Sequence, residues 1–364
     1  MIHSIQICRG IAALLVVLCH LGVAIAAPQY FGEPFFSHLF AAGGRAGVDF
    51  FFVLSGFIIT SVHWRDVGNP SKLPAYLFKR CARIYPVYWI VFAGAFTVAL
   101  LLPGAPVEDM PRTLSAFLVS AALLPQDPSV VGATGAPLLT VAWTLQYEML
   151  FYLFFGVLIL GRGLALAAFA SLAIWLAAGW LLALPVPLGF LQPAYFVLFA
   201  GGSAVGLATA AGRLTRAARP ALFAGLVGFV ATASLVSFQS AFPEAGPGLN
   251  ELALTFAFGG ASTLLIFGLV TLERQGWKPE LPGALLLGDA SYVLYLIHYP
   301  LLAVVCKVAV ATGLRGAGGA ALAWVAALAT CIAVAIIFHL WIERPLLHAS
   351  REFLQRRQVG SAAN

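Results

Sequence analysis

RGIAALLVVLCH, residues Arg9 to His20, begins an apolar run that continues to about Ala27. At ~1.5 Å rise per residue the run crosses a bilayer, or nearly does. Two ionisable residues sit in it, at i and i+11. Eleven steps of ~100° make about three full turns, so both side chains share a face. Their axial separation of ~16 Å predicts Arg9 at one membrane surface and His20 near mid-depth. An ionisable group at that depth is costly. It must face protein or a watery cavity, which makes His20 a candidate functional residue. The plainer alternative is a packed histidine hydrogen-bonded to a neighbouring helix.

The 364 residues are 61% hydrophobic and 9% charged, where a soluble domain carries about 25% charged. Mean hydropathy is +0.95. This composition excludes a soluble domain with one anchor. Unbroken apolar runs of about 18 or more residues exclude the alternating strands of a membrane barrel. The expected fold is all-α, a polytopic transmembrane helix bundle. Spanning helices are predicted near 10–27, 46–63, 84–102, 138–160, 163–183, 190–210, 220–238, 251–272, 284–305 and 319–341, about ten in all. A shorter piece near 113–124 predicts a re-entrant or interfacial helix. The expected organisation is one transmembrane domain over 1–345 and a short cytoplasmic tail over 346–364.

Charge supports this count. With the N-terminus inside and ten crossings, sixteen of the 20 Lys and Arg fall on the inner side; only Arg45, Arg112, Lys307 and Arg315 fall outside. An eleventh crossing at 113–124 would spoil that asymmetry. Basic inner loops also account for the pI of about 9.2, so nucleic acid is not an expected partner. Both termini are expected in the cytoplasm. The first 27 residues mimic a signal peptide, with Ala24 and Ala26 as a cleavage pattern, but His20 lies inside the apolar segment. The five cysteines show neither metal-ligand spacing nor a disulfide framework.

Four further stretches carry polar groups into apolar surroundings. GVDFFFVLSGFIIT places Asp49 near the outer end of the second helix and Ser55-Gly56 near mid-depth. Asp49 is a candidate wall of an outer acceptor cavity; Ser55-Gly56 reads equally as a packing notch of small residues. KRCARIYPVYW offers Arg80 and Arg83, three apart on one helix face, on the same membrane side as Arg9. Guanidinium forks suit phosphate, so these three arginines are candidate ligands for a polyphosphate. The alternative is membrane-surface anchoring, with Tyr85, Tyr88 and Trp89 as an aromatic belt. WTLQYEMLFY brings Glu148 to about the depth of His20, where a carboxylate can orient an imidazole or balance its charge. ASYVLYLIHYP puts Ser291, Tyr295 and His298 on one helix face, which must point inward. His298, close to Pro300, has a plain reading as the partner of a freed backbone carbonyl. Glu343 and Arg344 of the terminal IERP read as structural residues at a helix end, with Pro345 as the stop.

The chain has no GxxxxGK[ST] loop, no HExxH, no G-x-S-x-G elbow and no Cys/His metal spacing. Metal chemistry and ATP hydrolysis are therefore not expected.

Together, RGIAALLVVLCH, GVDFFFVLSGFIIT, KRCARIYPVYW, WTLQYEMLFY, ASYVLYLIHYP and IERP resemble the acyltransferase-3 family of bacterial membrane acyltransferases, in family order over nearly the whole membrane part. WTLQYEMLFY, with one glutamate where many members carry two, resembles the branch tied to exopolysaccharide production. The periplasmic esterase-like domain of many members has no counterpart here. The resemblance implies a bacterial inner-membrane enzyme using acyl-CoA, acetyl-CoA above all, on the inner side. The acceptor would be a hydroxyl of a glycan or lipid-linked sugar reached from outside. It implies functional roles for Arg9, His20, Arg80 and Arg83. The expected site is then His20 with Glu148 for catalysis, Arg9, Arg80 and Arg83 for the donor phosphates, and Asp49, Ser291 and Tyr295 toward the acceptor. His20 would deprotonate the acceptor or carry the acyl group itself. The alternative function is a secondary transporter or flippase for a glycan or lipid-linked sugar, with the buried ionisable groups as a proton relay.

Overall fold

The computed structural model describes residues 2–101, 111, 113–126, 135–136, 138–182, 193–212, 215–246 and 248–362. No strand occurs among them. Nine helices among the described residues are long and apolar enough to cross a membrane. Arg162–Leu182, with the shorter apolar run Arg162–Trp175, covers the fifth expected crossing, 163–183. Arg112 and Arg213, which entered the charge count, lie outside the described residues. The chain divides into two compact units, residues 1–62 with 194–336 and residues 63–193 with 337–364.

The first unit is organised around α1 (His3–Ala26), which packs against α2 (Phe35–Leu39), α10 (Glu251–Arg274), α11 (Pro282–Asp289) and α12 (Ser291–Ala311). The unit also holds most of α3 (Gly43–His63), then α8 (Pro193–Ala210), α9 (Ala218–Ala241) and most of α13 (Gly316–Phe338). Lipid offers no hydrophobic drive between helices, so close backbone approach supplies the contact energy. Gly56 of α3 and Gly202 of α8 show this. A Cβ on Gly56 would overlap the Phe199 carbonyl, and one on Gly202 the Val53 carbonyl. The Ser55-Gly56 stretch is thus a packing notch.

The run expected as one helix over 284–305 is two. α11 ends at Asp289 and α12 starts at Ser291, hinged at Ala290 with φ −79° and ψ −3°. Gly288 lies against the Gln6 backbone of α1, and the Asp289 carboxylate accepts from the Gln6 amide. These two contacts hold the chain end of α11 on α1, and α12 departs from there in a new direction.

The second unit holds α4 (Leu73–Leu101), α5 (Leu114–Ala121), α6 (Trp143–Leu160), α7 (Arg162–Leu182) and α14 (Arg344–Ala362). α4 packs on α6 and α14, and α6 on α7. α5 has eight residues, ~12 Å, too short to span. The last carbonyls of a helix have no partner within it, and hydrocarbon supplies none. Here α4 supplies them. Tyr88 Oη donates to Ser120 O at 2.7 Å, Trp89 Nε1 to Ala121 O at 2.9 Å and Tyr85 Oη to Ala122 O at 3.0 Å. The three aromatics read as a membrane-surface belt are therefore the cap of the short helix. At the other end the Thr113 hydroxyl accepts from Ala116 N at 3.1 Å.

The IERP stretch does not end its helix. α13 passes through a π-helical turn, His339–Glu343, into α14. The Arg344 amide reaches His339 O, the wider i→i+5 bond of that turn. Pro345 then sits in the first turn of α14, where a missing N–H is tolerated.

Tyr88 is 1% exposed, so its loss removes a buried hydrogen bond to the Ser120 carbonyl, which keeps the Leu123 N–H as a donor. Tyr88→Phe is expected to lower stability by about 1–2 kcal/mol. Thermal unfolding in detergent checks this.

Candidate functional site

In the first unit, α1 carries both Arg9 and His20. Arg9 Nη1 donates to Gln6 Oε1 at 3.2 Å, one turn earlier. Gln6, 4% exposed, passes the contact on through its Nε2 to Asp289. His3 and Ser4 tie the start of α1 to Glu273 of α10, with backbone N to carboxylate distances of 2.6 and 2.8 Å. The Arg9 end of α1 is thus fixed by polar contacts to two other helices. That rigidity follows from four polar side chains, His3, Ser4, Gln6 and Arg9, in the first two turns of an otherwise apolar helix.

His20 is half-buried and meets α12. Its Nδ1 lies 2.9 Å from His298 Nε2. The two rings are 23° from coplanar with centroids 5.1 Å apart, the arrangement of imidazoles joined edge to edge by a hydrogen bond. Tyr299 approaches His20 edge-on at 5.4 Å. His298 is fully buried, and its Nδ1 lies 3.1 Å from the Leu294 carbonyl one turn back. Pro300 cannot pair with the carbonyl four residues before it, that of Leu296, so His298 does not serve the proline-freed group. Tyr295 packs against His298 at 5.9 Å and against Phe51 of α3 at 6.0 Å. Ser291, one turn before Tyr295, is buried and its Oγ has no hydrogen-bond partner. The face predicted for Ser291, Tyr295 and His298 therefore does point inward, and its last member meets His20.

Asp49 is 1% exposed, and its Oδ2 has no hydrogen-bond partner. Arg45, one turn earlier on α3, donates to Thr255 Oγ1 at 2.9 Å and pairs with Glu251. An unpaired carboxylate oxygen in a buried place is expensive and is a recognisable mark of a site.

The second unit holds Arg80, Arg83 and Glu148. Arg80 Cζ lies 5.6 Å from the centroid of the Tyr152 ring, within cation–π range. Tyr152 Oη donates to Glu148 Oε1, and Tyr76 Oη donates to Tyr152 O at 2.9 Å. Glu148 and Tyr152 are i and i+4 on α6, so their meeting is a helix-face effect. The Arg80 Nε is buried without a hydrogen-bond partner. Arg83 Nη1 donates to Glu343 Oε1 at 2.5 Å, and Glu343 Oε2 lies 2.6 Å from His339 Nδ1. Glu343 is fully buried, at the end of the π-helical turn. Sequence reasoning read Glu343 as a structural residue at a helix end and passed over its partner His339, although their i, i+4 spacing in HLWIE was visible.

The structure groups these residues by unit. His20 has His298 and Tyr299 against it, with Tyr295 packed on His298, and Glu148, expected beside His20, is held by Tyr152 beside Arg80. Among the described residues no three His, Cys, Asp or Glu side chains gather as a metal site.

Comparison with known proteins places this geometry. The profile of the acyltransferase-3 family, described as an acyltransferase domain, matches residues 2–340. The chain belongs to the acyltransferase-3 family. It is an acyltransferase, and a multi-pass membrane protein. It is 34% identical to the exopolysaccharide production protein ExoZ of Rhizobium meliloti (strain 1021), over 85% of this chain and 91% of that one. It is 32% identical to "Protein 2 in picA locus" of Rhizobium radiobacter, over 39% of this chain and 73% of that one. A Staphylococcus aureus (strain COL) protein with a provisional O-acetyltransferase name is 25% identical over 42% of this chain and 23% of its own length. No solved structure matches the chain.

Removing the Glu343 carboxylate takes away the buried acceptor that Arg83 and His339 share. Glu343→Ala is expected to cost about 3 kcal/mol or more, with Glu343→Gln milder because one acceptor remains. Denaturation in detergent of the two variants beside the parent protein measures the difference.

Proposed function

We propose that the protein O-acylates an exopolysaccharide or another cell-surface glycan, taking an acyl group, acetyl in the first instance, from cytoplasmic acyl-CoA. The observation that carries this reading is the family match over 2–340 together with a half-buried His20 on α1 in contact with His298. The similarity to a protein named for exopolysaccharide production supports the acceptor class. The membrane is the bacterial inner membrane, with both termini cytoplasmic. The charge asymmetry of the loops supports that orientation.

The chemistry needs one base and a cation for the donor. Nε2 of His20 takes the proton of the acceptor hydroxyl. The hydroxyl oxygen attacks the thioester carbonyl, the carbon–sulfur bond breaks, and the imidazolium returns its proton to the departing thiolate. The products are the O-acyl glycan and free CoA. Arg9, Arg80 and Arg83 are each proposed as ligands for the donor phosphates. The buried, unpartnered Nε of Arg80 suits an incoming anion, and Tyr152 and Glu148 hold that arginine in place. The Glu148 counter-charge is proposed to act on Arg80 through Tyr152, and its alternative role is with His20. Asp49, Ser291 and Tyr295 lie toward the acceptor. The unpaired Asp49 Oδ2 and Ser291 Oγ are groups that sugar hydroxyls can satisfy.

A transporter or flippase would leave its cargo covalently unchanged. Mass and NMR analysis of surface glycan from cells with and without the gene separates the readings, since a transferase adds acyl groups. His20→Ala is expected to abolish that acylation at unchanged expression; normal acylation in this variant would remove the base from the mechanism. Arg80→Ala is expected to raise the KM for acetyl-CoA by about tenfold or more with a smaller change in kcat, the signature of lost ground-state binding. In Glu148→Gln, a rise in KM places its charge with Arg80, and a fall in kcat alone places it with His20.

A further inference from the structure

His298 has the geometry of a relay between a backbone carbonyl and His20. The Leu294 carbonyl can only accept a hydrogen bond, so Nδ1 of His298, 3.1 Å away, carries the hydrogen. A fully buried imidazole in a membrane helix is held neutral, since charge there is costly and no carboxylate contacts His298 among the described residues. A neutral ring with hydrogen on Nδ1 presents a bare Nε2. That nitrogen can only accept, so the contact at 2.9 Å requires the hydrogen to lie on Nδ1 of His20. One hydrogen on Nδ1 of a neutral His20 leaves the lone pair on Nε2, the nitrogen turned away from His298. The direction runs from a helix carbonyl through two rings and ends on the atom that would receive a proton.

Resting on the reading of His20 as the general base, we infer that His298 is the positioning residue that fixes the Nε2-bare tautomer of His20 and the plane of its ring. An imidazole free to exchange tautomers would present a hydrogen to the acceptor hydroxyl for part of the time and could not then deprotonate it. In serine hydrolases a carboxylate fixes the tautomer; here a neutral imidazole does so without burying a second charge. The near-coplanar rings agree with a directed in-plane bond. Tyr299 against the His20 ring and Tyr295 against the His298 ring limit rotation of both. During transfer the imidazolium formed on His20 keeps its Nδ1 hydrogen bond, because His298 Nε2 stays an acceptor throughout.

The test compares His298→Leu, which removes the acceptor, with His298→Gln, whose amide oxygen can accept at the place of Nε2. The full chain is purified in detergent, with acetyl-CoA as donor and chemically deacetylated glycan from the gene-bearing cells as acceptor; thiol release is read. His298→Leu is expected to lose about 10²-fold or more in kcat, with the KM for acetyl-CoA changed by no more than about twofold. His298→Gln is expected to stay within about tenfold of the parent. ¹⁵N-histidine NMR of the parent protein, with the His20 signals assigned by their loss in His20→Ala, is expected to show hydrogen on Nδ1 and a bare Nε2. His298→Gln keeps that pattern. A His298→Leu protein with near-parental kcat overturns the inference, as does a folded His298→Gln protein as inactive as the leucine variant. An Nε2-protonated His20 in the parent overturns it whatever the folding of either variant. Activity surviving in His20→Ala overturns the base reading itself, an outcome distinct from inactive His20→Ala with active His298→Leu.

Discussion

Hydrocarbon offers no hydrogen bonds, so each polar group this chain carries below the membrane surface must find its partner inside the protein. That constraint explains the two features that depart most from a plain bundle of apolar helices. The first is α5, whose open carbonyls would be intolerable in lipid and are closed by Tyr85, Tyr88 and Trp89. The second is the set of paired buried side chains: His20 with His298, Arg83 with Glu343 and His339, and Gln6 with Asp289. Each pairing joins helices far apart in the chain, so polar satisfaction also becomes tertiary specificity.

The same constraint makes the exceptions informative. Asp49 Oδ2, Ser291 Oγ and Arg80 Nε are three of the nine buried side-chain atoms that lack hydrogen-bond partners among the described residues. In a membrane protein such groups are retained at a cost, and a ligand that completes their bonds offsets it. Two of the three lie in the unit that holds His20, and the third lies in the unit that holds Glu148. An acyl transfer across a membrane needs two kinds of polar recognition, one for a polyphosphate and one for sugar hydroxyls. A cation and a carboxylate with a hydroxyl are the side chains suited to these tasks.

Packing between the polar points is done by small residues. Gly56 and Gly202 bring α3 and α8 to backbone contact, and Gly10 and Gly288 do the same for α1 and α11. The last of these matters for chemistry, because Asp289 adjoins Gly288 and α12 begins two residues later. The contact of α11 with α1 near Gln6 and the contact of α12 with α1 at His20 are therefore two points of one arrangement. Hinging at Ala290 lets a single stretch of chain serve both ends of α1.

Much of this was legible without a structure. Apolar runs bounded by basic loops predict about how many helices can cross, though not where each begins, and the short run at 113–124 declares itself by length. The spacing of Arg9 and His20, and of Ser291, Tyr295 and His298, predicts shared helix faces, because helical periodicity is a local property. Depth is also read locally, and on that ground Glu148 and His20 are expected at one level. Depth does not choose neighbours. The partner of His20 lies 278 residues away, and that of Arg83 lies 260 away. No periodicity spans such distances. The IERP stretch shows the same limit in reverse: proline chemistry predicts a stop, and a π-helical turn, seated by the burial of Glu343, carries the helix through it. Sequence alone determined that this is an all-helical membrane acyltransferase and which of its residues are chemically able. The tertiary structure decided which of them meet, because side-chain pairing depends on helices that only folding brings side by side.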